Sequence, residues 1–176
     1  MILLSVGTQF PFDRLVRAVD GWAGETRRQD VVAQIGPSDY KPKALKCMDF
    51  LGPDEFRKLQ AEADIIIAHA GMGSILTALE MGKPIIIMPR DHLRGEHRNG
   101  HQLATAERFC ETPGVYVAKN EEELAERLNR LDDLAAAQLS SKKAPDDFVR
   151  RLRTFVEDDR PPPGFGIRLF NVIFRS

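Results

Sequence analysis

An α/β fold, with a parallel sheet covered by helices on both faces, is what the sequence predicts, and three observations predict it. Short β-branched apolar runs, such as Ile65-Ile66-Ile67 and Ile85-Ile86-Ile87, have the length and composition of buried strands. Stretches with helical spacing of apolar residues lie between the strand candidates, so strand and helix alternate along the chain. Glycine, proline and polar clusters punctuate the joins, and strands linked through a helix pair in parallel by right-handed crossovers.

Ile2 to Val6 reads as the first strand, ending at Gly7-Thr8, and Leu15, Val16, Val19 and Trp22 space a helix over Phe12 to Trp22. Val31 to Ile35 is the second strand and Leu45 to Phe50 a weaker third, joined by the polar segment Pro37 to Lys43. Gly52-Pro53 opens a helix through Ala63. Asp64 to Pro89 then runs strand, glycine loop, helix, turn and strand without a break. Asn99 to Cys110 is helical and Val115 to Ala118 a strand. Asn120 and Glu123 form a capping box for the helix carrying Leu124, Leu128 and Leu131, with Glu121-Glu122-Glu123 as a favourable acidic first turn. Asp132 to Pro145 loses periodicity and reads as a connector. Phe148, Leu152, Phe155 and Val156 mark one more helix, with Arg150, Arg151 and Arg153 as a solvated face. Pro161-Pro162-Pro163-Gly164 stops that helix, and Phe165 to Ser176 is an apolar tail.

The 176 residues suffice for one well-buried core. A formal net charge of -1 offers no electrostatic case for nucleic acid. Cys47 and Cys110 are far apart, fit neither a disulfide framework nor a zinc pair, and read as core thiols in a reducing cytosol. Met1 to Val6 is too short for the apolar region of a signal peptide. No run approaches the roughly 20 apolar residues of a spanning helix, so any membrane association is expected to be peripheral or through a partner.

The chemistry concentrates after Ile67. His69, Ala70, Gly71, Met72 and Gly73 follow a strand at its carboxyl end, where α/β sheets place their ligands. Gly71 and Gly73 admit close backbone approach, and Ser74 is expected at the N-cap of the next helix, whose free N–H groups and dipole favour an anion. The natural guest is a nucleotide diphosphate. A second segment, Arg90 to Gln102, gathers three arginines and three histidines after another strand, and with His69 all four histidines of the chain follow these two strands. His97 and His101, four apart, are a weak metal pair with no third ligand evident.

In order, His69-Ala70-Gly71-Met72-Gly73-Ser74, Gly82-Lys83-Pro84, Pro89 and His101-Gln102 resemble the donor-binding half of GT-B glycosyltransferases, and above all the family 28 C-terminal domain. The resemblance runs from about Met1 to Leu131 and implies a Rossmann-like, nucleotide-sugar-binding domain over 1–131. The connector and helix would then occupy 132–160 and the tail 161–176, a candidate partner or membrane contact. Ser5-Val6-Gly7-Thr8 resembles the opening of the small catalytic subunits of two-piece transferases, of which the bacterial exopolysaccharide glucuronosyltransferase subunit and the dolichol-linked N-acetylglucosaminyltransferase subunit are examples. The exopolysaccharide subunit is the nearer likeness, through Ala78-Leu79-Glu80, Met88-Pro89-Arg90 and Gly95 to Ala106.

The resemblance implies that His69, Gly71, Gly73 and Ser74 hold the diphosphate of a UDP-sugar, with Gly7 and Thr8 in a facing loop. It assigns the donor-sugar hydroxyls to His101 and Gln102, and the ribose to Thr77, where many relatives carry an acid, or to Glu80. Arg90, Arg94 and Arg98 are candidates for the carboxylate of glucuronate, and Asp91 or His92 for the base, unless a partner supplies it. No metal or cofactor is expected, since oriented N–H groups can bear the leaving-group charge. The implied partners are a membrane-anchored acceptor-binding subunit and a lipid-linked saccharide acceptor at the cytosolic face of the membrane. A stand-alone nucleotide-sugar hydrolase or epimerase, and a non-catalytic nucleotide-binding regulatory module, are the alternatives.

Overall fold

The computed structural model describes residues 1–136. Six strands form one sheet: β1 (Ile2–Ser5), β2 (Val31–Gln34), β3 (Lys46–Met48), β4 (Ile65–His69), β5 (Ile85–Met88) and β6 (Val115–Val117). Their order is β3-β2-β1-β4-β5-β6 and every pairing is parallel. The helices are α1 (Asp13–Glu25), α2 (Pro53–Glu62), α3 (Met72–Glu80), α4 (His101–Phe109) and α5 (Glu121–Leu128). The chain builds outward from β1 to β3, returns through α2, and builds outward again from β4 to β6. The direction of winding therefore reverses between β1 and β4, which opens a crevice at their carboxyl ends.

Period-two alternation sends each strand's residues to two faces. Ile2, Leu4, Val6, Ile67, Ile86 and Met88 face one way and pack with Leu15, Val16 and Val19 of α1 and Leu124 and Leu128 of α5. Leu3, Ile66, Ile85 and Ile87, of opposite parity and fully buried, form the other face, against which α3 packs. Asp20 of α1, buried among apolar neighbours, accepts from the Tyr40 hydroxyl at 2.6 Å and from the Ala44 N–H at 2.8 Å, pinning the link between β2 and β3.

Several expectations shift by a few residues for local reasons. α4 starts at His101, not Asn99, because Asn99 is used in side-chain contacts with His97 before Gly100 caps the helix. Leu131 is buried but lies in a 3-10 turn, Leu131–Asp133, after α5 has ended. The capping box is half reciprocal: Asn120 Oδ1 accepts from the Glu123 N–H at 2.8 Å, but Glu123 Oε2 accepts from Lys119, one residue earlier than expected. Neither cysteine is a core thiol. Cys47 is exposed on the edge strand β3, and Cys110 is exposed at the C-cap of α4, where Phe109 takes the buried position instead. The connector beyond residue 136, the helix around Phe148 to Val156 with Arg150, Arg151 and Arg153, and the tail 161–176 lie outside the described residues.

Candidate functional site

A cleft of about 520 Å³ opens at the carboxyl ends of β1, β2, β4 and β5, within the range of small-ligand sites. One wall is the loop after β1, with Gly7, Thr8, Gln9 and Phe10; the floor holds His69, Gly71, Gly73 and Ser74. Arg90, His97 and Gln102 stand on the β5 side, and Gln34, Leu51, Pro53 and Phe56 on the β2 side.

The floor is built around one imidazole. His69 ends β4 with Nδ1 sealed from solvent and, among the described residues, without a hydrogen-bond partner. A Cβ on Gly7 would stand 2.9 Å from its Cε1, and one on Gly71 would collide with Nε2 more closely still. The ring therefore occupies the space that two missing side chains leave, and these glycines make room for the histidine before they make room for a ligand. Burial, the nearby Arg90 cation and His97 hold the His69 pKa down to about 4, outweighing the opposing Ser5 backbone contact. At neutral pH the wedge is uncharged.

Gly71 is the N-cap of α3, in extended geometry at φ -96 and ψ 134, and no side chain caps the helix. Ser74, expected at the N-cap, is instead the third helical residue, because a glycine in that geometry starts the helix earlier. The consequence favours anion binding. The N–H groups of Met72, Gly73 and Ser74 have no intrahelical acceptor, and the first intrahelical bond runs from the Ile75 N–H to Gly71 O at 3.2 Å. A Cβ on Gly73 would meet nothing within 4 Å, so that position faces open space. The facing loop turns at Gly7, whose φ of 80 suits a residue without a side chain.

Arg90 does not await a ligand. The residue is 2% exposed, and its guanidinium donates to the carbonyls of Val6, Phe10 and Pro11. Burial lowers its pKa to about 10, against the raising effect of Glu96, so it stays charged at neutral pH. The sequence reading of Arg90 as a carboxylate receptor is corrected: backbone carbonyls, which a sequence does not display, have taken its donors. Its own N–H is accepted by Gln102 Oε1 at 3.1 Å, and Gln102 lines the cleft.

None of the remaining candidates lines the cleft. Thr77 and Glu80 do not line it, because α3 points its N-terminus at the site and runs away from it, so that Glu80 ends the helix about 12 Å further on. Asp91 Oδ1 caps the turn His92–Arg94 by accepting from the Leu93 N–H at 2.9 Å, and His92 sits on that turn. Arg94 lies 3.7 Å from Asp91 and 3.6 Å from Glu121. His101 is exposed at the first turn of α4, and His97, before the helix, is not on a shared face with it. Arg98 stacks over the Phe10 ring at 5.5 Å, on the rim.

Sequence reasoning missed Gln34, Leu51, Pro53, Phe56, Gln9, Phe10 and the placement of His97. Gln34 had a signal, a polar residue ending the apolar strand Val31-Val32-Ala33; its Oε1 accepts from the Leu51 N–H at 3.1 Å and ties the β2 side together. Arg14 and Glu96 had none. Arg14 of α1 reaches Glu96 through Nε at 2.7 Å and Nη2 at 2.8 Å, and Glu121 through Nη1 at 3.1 Å. That fork anchors the segment after β5 to α1.

A wholly parallel sheet, a cleft at its winding reversal and an open glycine-capped helix define a Rossmann-like domain of the kind found in GT-B glycosyltransferases. Solved structures share the fold: an NMR structure of ALG13 matches with a TM-score of 0.58 at 19% identity, covering 86% of this chain and 94% of that one. The calicheamicin glycosyltransferase CalG4 matches at 0.54 and 20% identity, covering 91% of this chain and 44% of that one. More particularly, the chain belongs to the glycosyltransferase family 28 C-terminal domain family, whose model matches residues 1–154. The UDP-N-acetylglucosamine transferase subunit ALG13 of Candida albicans is 29% identical over 117 residues, 60% of this chain and 39% of that protein. The UDP-N-acetylglucosamine--N-acetylmuramyl-(pentapeptide) pyrophosphoryl-undecaprenol N-acetylglucosamine transferase of Lachnoclostridium phytofermentans is 29% identical over 133 residues, 72% of this chain and 36% of that protein. The chain thus spans well under half the length of either relative.

Proposed function

We propose that this chain is the donor-binding subunit of a UDP-sugar-dependent glycosyltransferase, which transfers the sugar with inversion to a lipid-linked saccharide together with a membrane-anchored, acceptor-binding partner. The observation that carries the reading is the open N-terminus of α3 beside the neutral His69 wedge. Three main-chain N–H groups and a helix dipole face a cleft, with the Ser74 hydroxyl beside them. Such a cradle stabilises the diphosphate as it leaves, without a metal ion.

The chain's family and the transferase activities its relatives are named for support a transferase over a hydrolase, an epimerase or a regulatory module. Among the described residues no helix is long and apolar enough to cross a membrane, so the membrane side of the reaction is assigned to the partner. UDP-N-acetylglucosamine is the first donor to test, since both relatives above are named for it. UDP-glucuronate and exopolysaccharide synthesis form a second reading, favoured by Arg98, a rim cation whose described contact is the Phe10 ring.

Thermal denaturation with UDP, against ADP and NAD and with or without EDTA, tests the cradle. UDP at 100 times its dissociation constant adds about 2.7 kcal/mol, a rise of roughly 5 to 10 °C for a domain of this size. A UDP-selective rise that survives EDTA is the expected outcome. No rise at millimolar UDP overturns donor binding by the isolated chain.

A further inference from the structure

We propose that His97 is the base that accepts the proton of the incoming acceptor hydroxyl, an inference that rests on the transferase reading above. The cleft itself narrows the choice. Among the described residues no carboxylate lines it, and the ionisable side chains there are His69, Arg90 and His97. Arg90 is a buried cation spent on backbone carbonyls, and His69 is wedged between Gly7 and Gly71 with Nδ1 sealed. Asp91 and His92, the bases suggested by sequence, belong to a turn outside the cleft.

His97 is held as a base is held. Its Nδ1 lies 3.2 Å from both the backbone oxygen and Oδ1 of Asn99. Two oxygens at that distance, one a carbonyl that only accepts, place the ring hydrogen on Nδ1; the Asn99 N–H, at 3.4 Å, is the longer competing contact. Nε2 is left with its lone pair. The ring also packs edge-on against Phe10, with centroids 5.5 Å apart at 62°, so it is oriented from two sides. The charged and titratable groups around it are Arg98 beside it in the chain, Glu96 engaged by Arg14, His69 at the cleft floor and Arg90 on the β5 side.

The step balances. The acceptor O–H gives its proton to Nε2, its oxygen forms the new bond to the anomeric carbon, and the bond from that carbon to the β-phosphate oxygen breaks. The electron pair leaves with UDP, towards the α3 N-terminus, and the imidazolium returns its proton to solvent. A base supplied by this loop lets the partner contribute acceptor binding without contributing proton transfer.

The test uses the full chain with washed membranes of its source organism, which carry acceptor and partner, and radiolabelled UDP-N-acetylglucosamine or UDP-glucuronate. His97→Gln is expected to keep the UDP-induced thermal shift, to lose a hundredfold or more in transfer, as removal of a general base does, and to lose the acid limb of the pH–rate profile. Added imidazole is expected to restore part of the transfer by His97→Gly. Transfer by His97→Gln within threefold of the parent with an unchanged pH profile overturns the proposal, as does loss of its UDP shift, which marks a binding role. No transfer by the parent chain with either donor overturns the transferase reading itself, and the proposal with it.

Discussion

The glycine-capped floor of the cleft and the arginine-bearing segment after β5 are both places where the sequence predicts an anion, and the structure treats them in opposite ways. The floor offers N–H groups of Met72, Gly73 and Ser74, which the helix geometry leaves without acceptors. The segment offers three guanidinium groups, and two are already engaged: Arg90 by Val6, Phe10 and Pro11, and Arg94 by Asp91 and Glu121. Main-chain donors at a helix start are unspent by construction. Side-chain charges are available only if nothing in the fold has claimed them, and a count of arginines does not say so.

The largest test of this contrast compares two of the arginines. Arg90→Met leaves buried carbonyls of Val6, Phe10 and Pro11 without donors and is expected to cost about 3 to 5 kcal/mol. Arg94→Ala removes exposed ion pairs and is expected to cost under about 0.5 kcal/mol. Urea denaturation of the two variants measures both. Equal costs would erase the distinction between a spent and a surface charge.

A second test breaks the floor. Gly71→Ala drives a Cβ into the His69 ring and is expected to cost about 2 to 3 kcal/mol by overpacking and to abolish the UDP shift. In a His69→Ala background the same substitution has no ring to meet, so its stability cost is expected to fall below about 1 kcal/mol. A cycle without coupling would mean that Gly71 serves the ligand alone. A coupled cycle shows that histidine and glycine form one unit.

The sheet was legible because most of its strands carry their own apolar run, the short exposed edge strand β3 being the exception, and β1 to β6 fall within a residue or two of the predicted positions. The cradle was legible for the same local reason: Ile65 to Ser74 holds strand, wedge and helix start within ten consecutive positions. What was not legible depends on pairs far apart in sequence. Arg14 with Glu96, Arg90 with Val6 and Gln34 with Leu51 decide which side chains remain free, and no periodicity marks them. Thr77 and Glu80, assigned through the family resemblance, do not line the cleft for a different reason: the direction in which α3 leaves it is a property of the sheet's winding.

The smallest effect concerns the charge state of the floor. His69 has a pKa of about 4 in the folded chain, against about 6.5 for a free imidazole. The folded state therefore binds fewer protons than the unfolded state between those values, and the stability that neutral His69 permits is fully present above pH 6.5 and is lost as pH falls towards 4. Linkage gives a loss of about 2 kcal/mol between pH 7 and pH 5 from this residue. Other groups titrate elsewhere: Asp30, held near 2 mainly by Arg28, weakens the fold only at lower pH. The difference between the parent chain and His69→Gln, followed by urea denaturation from pH 7 to pH 5, isolates the histidine. The parent is expected to lose about 2 kcal/mol more than the variant over that range. Parallel curves would mean that His69 takes up its proton as readily folded as unfolded, and would place a positive charge in the floor below about pH 6.5. A charged floor would bind the diphosphate by side-chain charge, as the segment after β5 was expected to do, and the contrast between the two regions would disappear.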